Sequence, residues 1–347
     1  MKERVFVTGA TGLVGYHVAK HLVEAGYDVI ATARSQSKAN ELQSNISGTG
    51  QLTVVQVDLL ETKNLAEVMQ GSAAVVHCAG AVDPHAKRED IMRTNVEATK
   101  LALDAAIKCG AKQFIHISSL STITGQDDQY NVDESAPLRY CGEAYADSKV
   151  DAEKAVQERR SEIGVTILRP GFIYGPGERA WMPRLITNLR NGKVMLIDGG
   201  GRQTNVIYVN NLSKAVELSL LNPAAYSQTY NLTDEKTPTK KELFDTMCEG
   251  LGLPKVTKKV PRPVVKLVCD VVSVVAPSLP ENARQGLSRF SRAAFRLAGV
   301  NQGFSIGKAQ REINYTNLIP FETGMRETLR TFDAKTTGSK QAVGVQP

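Results

Sequence analysis

Short runs rich in β-branched and other apolar residues punctuate the first half of the chain, at Arg4 to Thr8, Asp28 to Ala33, Leu52 to Val57, Ala74 to Cys78, Gln113 to Ser118 and Val165 to Leu168. Segments of helical period lie between them, Leu13 to Ala25 and Ile91 to Cys109 among them. Parallel strands need long crossover connections, usually helical, so this alternation predicts an α/β fold: a doubly wound parallel sheet with helices on both faces.

After Pro170 the alternation gives way to Pro/Gly-rich stretches, Gly171 to Gly177 and Asp198 to Gly201. The reading is a dinucleotide-binding domain over residues 1–170, to which some later segments return, followed by a smaller C-terminal substrate lobe over 171–332. The small, polar residues 333–347 read as a disordered tail. Within the lobe, Pro263 to Ala276 is Val-rich, with Lys266, Asp270 and Ser273 on one helix face. That narrow polar stripe predicts a largely covered core helix. The cap of a hydrophobic pocket and contact with a membrane surface are the alternatives.

Composition rules out disordered and fibrous classes: of 347 residues, 42% are apolar and 22% charged. The five cysteines are odd in number and lack CxxC or Cys/His spacing, so neither a disulfide framework nor a metal site is expected. A β-rich segment begins within four residues of Met1, with no signal-peptide pattern, and the expected location is cytoplasmic. Charge is uneven: residues 255–311 hold eleven Lys/Arg against two acids, a local +9 in a chain whose total is +6. Such a region attracts anionic ligands, phosphate-bearing carriers or a membrane surface, although a solvated face accounts for it equally. No motif supports nucleic acid as a partner.

The first strand runs into Thr8-Gly9-Ala10-Thr11-Gly12-Leu13-Val14-Gly15, and a helix follows. Glycines at 9, 12 and 15 in that context read as a turn that brings backbone N–H groups and a helix N-terminus to a pyrophosphate. The second strand ends at Ala33-Arg34-Ser35. An acid there selects NAD and an arginine suits a 2′-phosphate, so Arg34, with Ser35 and Lys38, argues for NADP, with NAD as the alternative. Asp58, after the third strand, has two readings, contact with the adenine amino group and a helix cap.

Tyr145 and Lys149 fall at i and i+4 of a helix expected from Glu143 to about Ser161, on one face. A cation beside a phenol lowers its pKa, which suits Tyr145 to proton transfer with a substrate oxygen. Ser119, at the end of the fifth strand, can donate a hydrogen bond to the same oxygen.

Glycine turn, serine and YxxxK motif in this order resemble the short-chain dehydrogenase/reductase superfamily, and the chain is similar to its extended branch over about residues 1 to 332. The matching segments are Val57-Asp58-Leu59, His77-Cys78-Ala79-Gly80, Thr94-Asn95-Val96, Ser118-Ser119, Tyr145 to Lys149, and Arg169-Pro170-Gly171 followed by Tyr174-Gly175-Pro176. The resemblance implies a Rossmann sheet. Asp58 and Leu59 then border the adenine, Ala79 and Gly80 lie along the cofactor, and Asn95 and Pro170 line its nicotinamide half. Lys149 also binds the nicotinamide ribose. Ser119 takes the serine role, with Ser118 and Ser121 as rivals, and relatives commonly form homodimers.

Nucleotide-sugar epimerases of this branch carry an arginine where this chain has Thr204, and Arg202 replaces it only by a register shift. Gly200 to Asn211 and Phe304 to Ala309 are more similar to the 3β-hydroxysteroid dehydrogenase and dihydroflavonol reductase-like members. The expected function is therefore NADP(H)-dependent hydride transfer to or from a hydrophobic hydroxy or keto substrate of steroid, flavonoid or long-chain keto acid type, with an anionic group on it as an option. Epimerisation or dehydration of a nucleotide sugar is the alternative, and a non-catalytic dinucleotide sensor is the reading from another class.

Overall fold

The computed structural model describes residues 2–83, 86–278, 287, 290–316 and 318–340, without the side chains of 277, 293 and 333–340. Its strands in chain order are β1 (Arg4–Thr8), β2 (Asp28–Ala33), β3 (Gln51–Gln56), β4 (Ala74–His77), β5 (Gln113–Ile117), β6 (Gln129–Val132), β7 (Gly164–Pro170), β8 (Phe172–Tyr174), β9 (Leu196–Ile197), β10 (Val206–Tyr208), β11 (Gln228–Leu232), β12 (Lys259–Val260) and β13 (Gln302–Phe304). Seven of them form one parallel sheet in the order β11-β7-β5-β4-β1-β2-β3. Strands β1, β4, β5 and β7 are buried almost throughout, as expected of strands covered on both faces.

One face of the sheet packs Val5, Val7, Val29 and Ala31 against Val18 and Leu22 of the helix Leu13–Glu24 and Leu212 and Val216 of the helix Val209–Ser219. The opposite face packs Phe6, Val75, Phe114 and Val165 against Leu103 and Ala106 of the helix Ala98–Lys108. Because β1 lies between β2 and β4, chain progression reverses at the β1/β4 boundary, and a crevice opens beyond the carboxyl ends of these two strands.

The lobe has its own core, with Tyr174, Met182, Ile186, Tyr208, Leu243, Met247, Phe321, Met325 and Leu329 at its centre. Its closing helix, Phe321–Lys340, buries Phe321, Met325 and Leu329 along one face. The helix extends past its last buried turn to Lys340, since elongating an established helix is far less costly than nucleating one. Residues 341–347 lie outside the described residues.

The Val-rich helix Arg262–Val275 overturns the expectation of a core helix. Cys269 is buried and Val265 packs with Phe290, Phe295 and Val300. Val264, Leu267, Val268, Val271, Val274 and Val275 face outward, Leu267 at 65% and Val274 at 71% exposure. Both sides of this helix are apolar; the row through Val265 and Cys269 supplies its buried packing, and Arg262, Asp270 and Ser273 tie it down through hydrogen bonds to Gly299 and Arg292. Among the described residues no helix is long and apolar enough to cross a membrane.

Candidate active site

Residues expected to act together converge on the carboxyl ends of β1, β2, β4, β5 and β7. At the end of β1, Gly9 has φ +67°, and a Cβ there would stand 2.7 Å from the backbone of Ala79. A Cβ on Gly15 would meet the Gly9 carbonyl oxygen at 2.3 Å, so the turn closes only with glycine at both positions. Gly12 caps the helix Leu13–Glu24, whose first turn has no side-chain cap and no acid. Bare N–H groups and an uncompensated helix dipole fit a bound pyrophosphate. Thr11 and Gly12 are exposed at the crest of the turn, while Leu13 packs on the lobe core and Val14 on the sheet core.

Hydrogen bonds fix this turn to the rest of the crevice. The Thr8 hydroxyl accepts from the Ala79 N–H (3.2 Å) and lies 2.9 Å from His77 Nδ1, and His77 Nε2 lies 2.9 Å from the Thr99 hydroxyl. Thr99 in turn donates to the Asn95 carbonyl at 2.6 Å. This sequence of partners requires the proton on Nε2 and a hydroxyl donated to Nδ1. Burial holds His77 down at about 3, so the ring stays neutral. Thr8 and His77 are register partners across β1 and β4, and that pairing is the sequence-level signal that could have revealed the link.

Asn95 belongs to a π-helical turn, Arg93–Glu97. The wider turn directs its amide at the segment after β4: Oδ1 accepts from the Ala81 N–H (2.7 Å), and Nδ2 donates to the Ala81 carbonyl (3.0 Å) and to Ser148 Oγ (2.9 Å). A Cβ on Gly80 would sit 3.3 Å from Asn95 Oδ1 and 3.4 Å from Lys149 Nζ, so Ala79 and Gly80 run between the glycine turn and the helix of Tyr145 and Lys149.

That helix spans Ala144–Gln157 with Glu143 as its N-cap residue. Tyr145, Lys149 and Glu153 lie one turn apart along it. Glu153 is fully buried and accepts from Arg169 Nε of β7 (3.0 Å) and from Ser118 Oγ (2.6 Å). Ser118 is thereby occupied with seating the helix against β5 and β7. The Ser119 hydroxyl lies beside the Tyr145 phenol, close enough to favour its ionised form, and accepts from the Ser121 N–H at 3.1 Å. Ser121 Oγ is buried without a partner, so the serine beside the phenol is Ser119.

Lys149 does not act on Tyr145 as expected. Its ammonium donates to the Ile117 carbonyl at 2.8 Å, and burial lowers its pKa to about 8 against the favourable charges of Cys78 and Glu153. The Tyr145 phenol is pushed above its ordinary value by burial, and the neighbouring Ser119 hydroxyl offsets only part of that. Desolvation outweighs the expected cation effect.

Arg34 follows β2, exposed and with no ion pair among the described residues, whereas Lys38 pairs with Glu41. Asp58 Oδ1 accepts from the Leu60 N–H (2.9 Å), closing the turn after β3, and Leu59 packs on the sheet core. Pro170 is buried at the end of β7. Arg202 pairs with Asp128 and Asp198, and Thr204 is buried, so neither presents the guanidinium that a nucleotide-sugar site uses. Arg296, a buried residue that the motifs did not single out, donates from Nη2 to Glu143 Oε2 at 2.5 Å.

Residues 5–233 match the NAD dependent epimerase/dehydratase family. Among curated proteins, the chain is 25% identical to the 2-alkyl-3-oxoalkanoate reductase of Shewanella oneidensis, covering 93% of this chain and 85% of that one. It is 28% identical to the decarboxylating sterol-4-alpha-carboxylate 3-dehydrogenase erg26 of Schizosaccharomyces pombe, over 95% and 98% of the two chains. The crystal structure of gox2253 shares the fold, with a TM-score of 0.77 at 23% identity and coverage of 96% and 99%. With the glycine turn, Ser119, Tyr145 and Lys149 gathered at one crevice, the chain belongs to the NAD dependent epimerase/dehydratase family and is an NAD(P)-dependent oxidoreductase of the extended short-chain dehydrogenase/reductase type.

Proposed function

We propose that this protein uses NADPH to reduce the carbonyl group of a hydrophobic keto substrate, with Tyr145 as the proton donor. The observation that carries this reading is the placement of the Ser119 hydroxyl beside the Tyr145 phenol at the carboxyl end of β5, near the glycine turn and the switch point of the sheet. When bound, the cofactor supplies the hydride. Its pyrophosphate would be held by Gly9 to Gly15, its adenine by Asp58 and Leu59, a 2′-phosphate by Arg34, and its nicotinamide half by Asn95, Lys149 and Pro170.

Tyr145 holds its proton through neutral pH because burial raises its pKa, which suits it to give that proton to a substrate oxygen as negative charge develops there. The Ser119 hydroxyl steadies the same oxygen with a second hydrogen bond. The charged form of Lys149 lowers the cost of that developing charge. A phenol kept protonated favours reduction over alcohol oxidation at neutral pH.

In the names of both curated relatives above, the carbon that carries oxygen is β to a carboxyl group. A β-keto or β-hydroxy acid with a large apolar body is therefore the substrate class to try first. The test is NADPH and NADH consumption on a panel of long-chain 3-keto acids, 3-keto steroids, dihydroflavonols and UDP-sugars. Consumption with a ketone is expected. Isomerised sugar with no consumption on any ketone would replace this reading with epimerisation.

A further inference from the structure

Arg296 lies on the helix Arg292–Ala298 and is 4% exposed, yet among the described residues Nε and Nη1 are buried without a partner. A guanidinium offers five N–H donors, and leaving buried donors unpaired is costly, so an arrangement of this kind implies an acceptor that arrives from outside. Among the described residues, the side chain it does bond is Glu143, which is 34% exposed and immediately precedes the helix of Tyr145, two residues before that tyrosine. Six residues beyond Arg296, β13 begins; it pairs with β6, and its Phe304 packs on Leu120 and Ile123, directly after Ser119. The segment from Arg296 to Phe304 thus reaches the Tyr145 side of the catalytic pair at one end and the Ser119 side at the other. Gln302, also buried, fixes the Arg296 backbone by donating to its carbonyl at 3.3 Å.

We propose that Arg296 binds the carboxylate of the substrate and makes this enzyme selective for keto acids over neutral ketones, with Glu143 as the anion that the substrate displaces. The proposal rests on the ketone-reducing reading above and names the residue that fixes its substrate class. Arginine suits the task because its charge is permanent and its planar fork matches a carboxylate. Glu143, partly in water, can release the guanidinium at small cost, whereas a fully buried partner could not.

The experiment measures kcat/KM with NADPH for freshly prepared 3-oxododecanoate and for its methyl ester, on the wild type, Arg296→Gln, Arg296→Lys and Glu143→Gln. In Arg296→Gln the acid-over-ester ratio should fall by about 30-fold or more, mainly through KM, with partial rescue in Arg296→Lys. Glu143→Gln should move the ratio the opposite way, because a competitor of the substrate is gone. Equal loss on acid and ester, or the same direction in both variants, would reduce Arg296 to a packing role and overturn the proposal. Should neither compound be reduced, the ketone-reducing reading fails on its own. Calorimetry of dodecanoate against dodecanamide in the presence of NADPH then decides the anion site, and equal binding of the two by the wild type would remove it.

Discussion

Lys149 directs its ammonium at the Ile117 carbonyl, 2.8 Å away, while the Tyr145 phenol one turn earlier lies beside the Ser119 hydroxyl. Lysine and tyrosine share a helix face but have different partners. Lys149 is lowered to about 8, so most of its charge is present at neutral pH and fades as pH rises through that value. NADPH affinity should weaken as pH rises through about 8, and Lys149→Met should bind more weakly with no such limb. Fluorescence titration between pH 6 and 10 reads both; identical pH profiles would detach Lys149 from the cofactor.

Tyr145→Phe removes the proton donor and leaves the glycine turn untouched. Turnover should drop by about 10²- to 10⁴-fold with NADPH affinity preserved, and Ser119→Ala should lose less. Full activity in Tyr145→Phe would end the mechanism.

Exposed and without an ion pair, Arg34 can be changed with little effect on folding. Arg34→Glu should shift the NADPH-over-NADH ratio of kcat/KM by about tenfold or more toward NADH, by placing an acid where a ribose hydroxyl would bind. An unchanged ratio would assign the 2′ position to other groups.

His77 joins Thr8 to Thr99 as a neutral ring. Its folded value, about 3, lies below the ordinary 6.5, so the folded chain takes up fewer protons than the unfolded one between those values. Its contribution to stability is complete above about 6.5 and is lost as pH falls toward 3. The thermal midpoint should therefore decline on acidification below about 6.5. His77→Leu should flatten that decline and cost about 2 kcal/mol at neutral pH, through the two hydroxyls left short of a partner. A midpoint equal to that of the wild type would show the link to be dispensable.

On the Val-rich helix, Leu267→Ser should alter unfolding free energy by no more than about 0.5 kcal/mol, whereas Leu22→Ala, in the sheet core, should cost about 2–5 kcal/mol. Urea titration distinguishes the exposed face from the buried one. A large loss in Leu267→Ser would mean that something covers this helix in solution.

The sheet was legible because its strands are dense in Val, Ile and Phe and its helices keep their period, and the glycine turn because tight backbone approach leaves no alternative residue. The shared face of Tyr145 and Lys149 was legible for a similar reason: spacing on one helix fixes it. Contacts that depend on the third dimension were out of reach. Arg296 and Glu143 meet across 153 positions with no motif at either end. The face that Val264 to Val275 turns outward depends on which of two apolar rows finds a partner, and the pKa order of Lys149 and Tyr145 depends on how deeply each is buried.

Strand β11 is drawn from residues 228–232, beyond β8 and β10 of the lobe, yet it completes the sheet beside β7. The spatial boundary at residue 170 is consequently no place to cut. A fragment ending there would carry β7 as a bare edge, with Leu168 deprived of its neighbour and a row of backbone groups open to any passing strand, so it would be prone to self-association. The seven-stranded sheet is therefore complete only once residues 228–232 have paired with β7.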